Sequence, residues 1–167
     1  MRKITPQHFF KTAGYNLWLV DEKKLPVQIT PNGRQTGIED WPNITNFEAF
    51  YPSIGALDNI GFLSGPQYKS GRYVIILDFD IYSGKTHDVV PETQALFNEF
   101  RALDTNQERG FFSGSTCHNY GVILDITDTP SVIDKINQII TTTNNRNKIE
   151  YQGLEVLYKN NVVLPPS

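Results

Sequence analysis

"YVIILDFDIYSGK", Tyr73–Lys85, decides how the rest of the chain is read. Five apolar or aromatic residues lead straight into two aspartates, Asp78 and Asp80, separated by Phe79. An unbroken apolar run of this length predicts a strand buried on both faces. Side chains alternate across a strand, so Asp78 and Asp80 are expected on one face, where the strand reaches the edge of its core. Two carboxylates at close range repel, and each charge is costly where water is thin. A divalent cation relieves both problems. Hard oxygen donors suit Mg²⁺ or Mn²⁺, and Mg²⁺ usually recruits substrate phosphates to complete its octahedron. The competing reading is a solvated strand end whose acids are idle.

Outward from this strand, "NIGFLSG" (Asn59–Gly65) reads as a short strand ending in a Ser-Gly turn, and "NLWLV" (Asn16–Val20) as another. A first helix is expected near Pro6–Ala13, and residues 21–58, broken by five prolines and glycines before Pro52, as loop-rich with short elements. Downstream, "PETQALFNEFRAL" (Pro91–Leu103) predicts a helix: proline suits the first turn, and Leu96, Phe97, Phe100 and Leu103 recur at helical spacing. "TPSVIDKINQII" (Thr129–Ile140) predicts a second, with a Thr N-cap, proline at the first position, and Val132, Ile133, Ile136, Ile139 and Ile140 on one face. "GFFSGS" and "YGVILDIT" read as strands around a turn, "TTTNNRNK" (Thr141–Lys148) as a polar loop, and "GLEVLY" and "NVVLP" as two closing strands. Strands outnumber helices, and each clear helix lies between strands. The expected class is α+β, a mixed β-sheet core flanked by helices.

Composition narrows the class. At 167 residues the chain is long enough for one domain with a real core, or at most two small ones. No apolar run approaches the ~20 residues that span a bilayer. The start, "MRKITPQHFF", has no apolar segment of the secretory kind, and the single cysteine, Cys117, forms no internal disulfide. A cytoplasmic protein is the expectation. A net charge of −3 does not advertise a nucleic-acid binder, yet a metal-chelating site concentrates acids and the metal returns positive charge.

Two further stretches carry chemistry. In "FFSGSTCHNYGVILDI", Ser113, Gly114, Ser115 and Thr116 form a small polar turn, with His118 just before an apolar strand. Such a turn offers N–H groups and hydroxyls to a phosphate, and His118 adds a donor or a positive charge. The alternative is a structural histidine. In "GLEVLYKNNVVLPPS", Glu155 is an acid flanked by Leu154 and Val156 in a strand-like run. "VIILDFD" is also similar to the first motif of haloacid-dehalogenase phosphatases. Ile81-Tyr82 stand where Gly-Thr follows in those enzymes, and no paired acids come later. A DxD glycosyltransferase has no other support in the chain.

Taken in order, "AGYNLWLV", "NIGFLSG", "VIILDFD", "SGSTCH", "GLEV" and "VVLPPS" resemble the archaeo-eukaryotic primase superfamily. The similar branch is the primase-polymerase (prim-pol) domain of plasmid, phage and mobile-element replication proteins, and the resemblance covers nearly the whole chain. It implies a single catalytic domain over 1–167 with an RRM-like core, the N-terminal part of a longer replication protein with a helical accessory domain or a helicase. It makes Asp78, Asp80 and Glu155 the acids of a two-metal Mg²⁺ or Mn²⁺ site, and Ser113, Ser115 and His118 the binders of the triphosphate of an NTP or dNTP. Single-stranded DNA template and primer would be the partners. Two positions depart from the pattern: "SGSTCH" lacks the family's double glycine, and Glu155 is followed two residues later by Leu157 rather than arginine. Lys69, Arg72, Lys85 and Arg109 are candidate phosphate or template contacts, and Phe62, Phe79, Tyr82, Tyr120 and Tyr158 candidate stacking residues, each with a surface or core role as the alternative. A non-catalytic replication-initiator domain and, less favoured, a metal-dependent phosphohydrolase remain as other readings.

Overall fold

The computed structural model describes residues 14–21, 25–36, 44–46, 60–81, 89–103, 110–113, 119–143 and 147–164. The helix expected at Pro6–Ala13 lies outside them. The described chain runs β1 (Leu17–Val20), β2 (Pro26–Thr30), β3 (Gly33–Thr36), β4 (Ile60–Leu63), β5 (Gly65–Gln67), β6 (Arg72–Phe79), α1 (Pro91–Leu103), β7 (Gly110–Ser113), β8 (Asn119–Asp125), α2 (Pro130–Thr143), β9 (Lys148–Tyr151), β10 (Leu154–Leu157) and β11 (Asn161–Leu164). It divides into two compact units, Met1–Arg72 with Asn161–Ser167, and Tyr73–Asn160.

The first unit holds an antiparallel sheet in the order β11-β4-β1-β2-β3. Its central strands, "LWLV" and "IGFL", are apolar throughout because both are buried along their whole length. Gly61 lies opposite Trp18, and a Cβ there would stand 2.3 Å from Trp18 Nε1 and 2.5 Å from Asn161 Oδ1. The missing side chain leaves space for the indole, whose Nε1–H donates to Asn161 Oδ1 at 2.8 Å. Two buried amides close the end of this sheet. The N–H of Asn16 donates to Gln67 Oε1 (2.7 Å), and Gln67 Nε2 donates to the carbonyls of Leu63 (2.9 Å) and Gly65 (3.1 Å).

The second unit carries the aspartates. Its strands order as β7-β8-β6-β10-β9, and every pairing among them is antiparallel. The α+β class holds, while the sheet is antiparallel where a mixed one was expected. The reason lies in the connections. The segment β6-α1-β7 would make β6 and β7 parallel neighbours, but β8 lies between them; β6 likewise separates β8 from β10. Each crossover is thus split by an antiparallel strand, a β-α-β-β-α-β plan with one added edge strand, β9.

Residues 75, 77 and 79 of β6 turn toward the helices. Ile75, Leu77 and Phe79 form one core with Phe97 of α1, Ile136 of α2, Tyr120, Val122, Ile126 and Tyr158. Phe79, Phe97 and Tyr120 meet edge to face or tilted, with centroids 5.6–6.4 Å apart. The helix over Pro91–Leu103 has the predicted bounds, although Leu103, its last residue, is 71% exposed. In α2, Ile133, Ile136 and Ile140 pack on the core, whereas Val132 is exposed, being displaced to the flank of that stripe. Thr129 does precede the helix, and its carbonyl accepts from the N–H groups of Val132 and Ile133. Its hydroxyl, however, donates to the carbonyl of Ile126 at 2.8 Å rather than accepting from the first turn.

The polar loop expected over Thr141–Lys148 is helical at its start and strand at its end. Helix α2 continues to Thr143, and Lys148 already begins β9. Strands β9 and β10 form a hairpin around Gln152-Gly153, both at positive φ (24° and 89°), the two-residue turn geometry that matches strand twist. No helix among the described residues is long and apolar enough to cross a membrane.

Candidate active site

Strand β6 arrives at Asp78 after Val74 and Ile76, both fully buried on the face that also carries Asp78. Its neighbours on that row are decided by register. On one side Asp78 pairs with Gly121 of β8, which presents no side chain. On the other it pairs with Glu155 of β10, and Glu155 in turn pairs with Glu150 of β9. Residues directly opposite in an antiparallel sheet share a face. One row across the sheet therefore reads Gly121, Asp78, Glu155, Glu150. The next row inward reads Ile123, Ile76, Leu157, Lys148. A line of three carboxylates thus borders an apolar row that ends in a lysine.

Asp80 lies just past the end of β6. Its N–H donates to the carbonyl of Gly153 at 2.9 Å, which ties the end of β6 to the turn between β9 and β10. Gly153 has its own constraint, since a Cβ there would meet Val89 Cγ2 at 3.1 Å, just ahead of α1. Asp78 and Asp80 are both half-buried. One oxygen of each, Oδ1, is buried and accepts no hydrogen bond, while both residues make other interactions.

The third acid is held differently. Lys148 Nζ donates to Glu155 Oε1 at 3.0 Å and also pairs with Glu150. The contact with Glu155 runs diagonally across the hairpin, a span of about 7–8 Å between backbones that a lysine stem bridges. The ammonium is held above the ordinary lysine range. The hydrogen bond that the ammonium donates to Glu150 is the largest cause, and the bond to Glu155 and the charges of both carboxylates add to it against partial burial.

The sequence reading singled out neither Lys148 nor Glu150. The usable signal was "KIEYQGLEVL": a Gln-Gly turn flanked by alternating residues, which predicts a hairpin and so places Lys148, Glu150 and Glu155 on one face. Of the proposed triphosphate residues, Ser113 ends β7 and its backbone pairs with Asn119 of β8, one step beyond the pairing of Phe79 with Tyr120. Both ends of the 114–118 connection therefore lie at the sheet end where β6 delivers Asp80. Ser115 and His118 are outside the described residues, as are Tyr82, Lys85 and Arg109. Lys69 and Arg72 are exposed. Four of the candidate stacking aromatics, Phe62, Phe79, Tyr120 and Tyr158, are buried to 2% exposure or less and belong to the core.

No match was found among protein-family models, curated proteins or solved structures.

Whether these residues suit a divalent cation is a question of donors and placement. Asp78, Asp80 and Glu155 supply only carboxylate oxygens, the donor type that Mg²⁺ and Mn²⁺ take. The strand register brings all three to one end of one sheet. Yet among the described residues no group of three His, Cys, Asp or Glu side chains stands close enough to hold a metal ion. The donor chemistry fits, and the Glu155 carboxylate is engaged by Lys148.

Proposed function

We propose that this chain is a metal-dependent nucleotidyl transferase of the primase-polymerase kind, extending a primer on a single-stranded DNA template from NTPs or dNTPs. One observation carries the reading: Glu155, distant in sequence, is the direct cross-strand partner of Asp78. The sequence resemblance groups these acids with Asp80, and the register supports that grouping independently. The β-α-β-β-α-β plan of Tyr73–Asn160 is also what an RRM-like catalytic core requires.

In this reading the primer 3′ hydroxyl attacks the α-phosphorus, the bond to the pyrophosphate oxygen breaks, and the hydroxyl proton passes to solvent. Asp78, Asp80 and Glu155 hold Mg²⁺ or Mn²⁺, which when bound neutralises phosphate charge and makes the hydroxyl more acidic. Ser113, Ser115 and His118 bind and orient the triphosphate, donating hydrogen bonds to its oxygens. The buried Phe79 core on the opposite face of β6 anchors the strand end that delivers Asp78 and Asp80.

A second reading has an observation of its own. Glu155 is paired with Lys148 and among the described residues no three-acid group is assembled, as expected of a nucleic-acid-binding replication domain that keeps the fold without synthesis. Incubation with labelled dNTP, Mn²⁺ and a primed template separates the two. Extension that disappears in Asp78→Asn supports the transferase. Template binding with no incorporation by the unsubstituted protein supports the second reading, and release of inorganic phosphate would point to a phosphohydrolase.

A further inference from the structure

The geometry points to Lys148 as a latch on the third acid: its ammonium holds the Glu155 carboxylate toward the β9 edge, and cation binding proceeds by exchange of Glu155 from Lys148 to the metal. This rests on the metal-dependent reading above and adds to it a positioning residue outside the acid set.

Three observations carry it. The backbone register places Glu155 opposite Asp78, so the third carboxylate is within the row that the aspartate begins. The side chains nevertheless form no three-donor group among the described residues. Glu155 is instead engaged by Lys148, whose Nζ donates to its Oε1 at 3.0 Å. A carboxylate has limited directions from a fixed strand position, and one committed to a lysine diagonally across the hairpin is not committed to its direct neighbour.

The latch is also weak enough to open. The side chains of Lys148 and Glu155 are 26% and 36% exposed, and pairs of that kind are modest in water. A divalent cation held by Asp78 and Asp80 would attract the Glu155 carboxylate more strongly than a single ammonium does. Releasing Glu155 does not strand the lysine, because Glu150, two residues along the same strand, already pairs with it. The ammonium thus keeps one anionic partner throughout the exchange. The arrangement gives a metal-free state in which the repulsion between neighbouring carboxylates is partly neutralised from within the fold.

The test uses Mn²⁺ alone, with no nucleotide or DNA, and reads free Mn²⁺ by electron paramagnetic resonance. Lys148→Gln removes the charge and keeps most of the stem. It is expected to bind Mn²⁺ about three- to tenfold more tightly than the unsubstituted chain. Part of any gain comes from deleting a positive charge near a cation, so the comparison is repeated in a Glu155→Gln background. A latch acts through Glu155, and the gain must shrink or vanish there. Lys148→Arg keeps the pair and is expected to bind as the unsubstituted chain does; melting curves of all variants verify that they fold. Unchanged or weaker binding by Lys148→Gln overturns the latch, as does an equal gain in both backgrounds. If neither the unsubstituted chain nor Lys148→Gln binds Mn²⁺, the metal-dependent reading itself falls, a result distinct from the other two.

Discussion

Replacing Asp78 by asparagine should stabilise the metal-free protein and destabilise it relative to the unsubstituted chain once Mn²⁺ is present. Asp78 faces Glu155 directly, and Glu155 faces Glu150. Lys148 pairs with the latter two. Like charges directly opposite in a sheet cost roughly 0.2–1 kcal/mol, and asparagine removes that repulsion at nearly constant shape. For a chain of this size 1 kcal/mol moves Tm by about 2–4 °C, so the variant should melt up to about 4 °C higher in chelator. At a hundredfold excess of Mn²⁺ over Kd the unsubstituted chain gains about 2.7 kcal/mol, or roughly 5–11 °C, which the variant largely forfeits. The order of the two melting temperatures should therefore reverse between chelator and metal. Scanning calorimetry under both conditions measures it, with primer extension run on the same samples. A variant that melts several degrees lower in chelator would make Asp78 a structural residue. Equal Mn²⁺ shifts, or undiminished extension by the folded variant, would remove Asp78 from the metal site.

Gly61→Ala should cost roughly 2–4 kcal/mol in denaturant unfolding, since the new Cβ overlaps the indole of Trp18 and its hydrogen bond to Asn161; a loss under 1 kcal/mol would contradict that packing. Lys148 has a raised pKa in the folded state, so its ion pairs stabilise fully below the ordinary lysine pKa of 10.5 and are lost as pH rises through the folded value. The melting curves of the unsubstituted chain and Lys148→Gln should accordingly converge only above about pH 10.5; convergence near neutrality would deny the linkage. His118→Ala should raise the KM for nucleotide more than it lowers kcat, and an unchanged nucleotide titration in a folded variant would return His118 to a structural role.

Local physics made much of this chain legible in advance. The apolar run Tyr73–Leu77 had to be a buried strand, and the spacing of Leu96, Phe97 and Phe100 after Pro91 had to be a helix, because burial and periodicity act over a few residues. The alternation rule likewise placed Asp78 and Asp80 on one face without any knowledge of their neighbours. Lys148 escaped because the tract before it is polar, and composition says loop wherever it cannot see the partner strand that makes an edge residue a strand residue. Phe62, Phe79, Tyr120 and Tyr158 could not be sorted into core or platform from the sequence, since an aromatic ring suits either and only the packed helices and sheets decide. The pairing of Glu155 with Asp78 belongs wholly to the tertiary structure. It depends on β10 docking antiparallel to β6 in one register among several, and a slip of one residue would turn Glu155 to the helix-covered face. What holds that register is distributed over Leu154, Val156, Ile149 and the Phe79 core, none of which carries chemistry of its own.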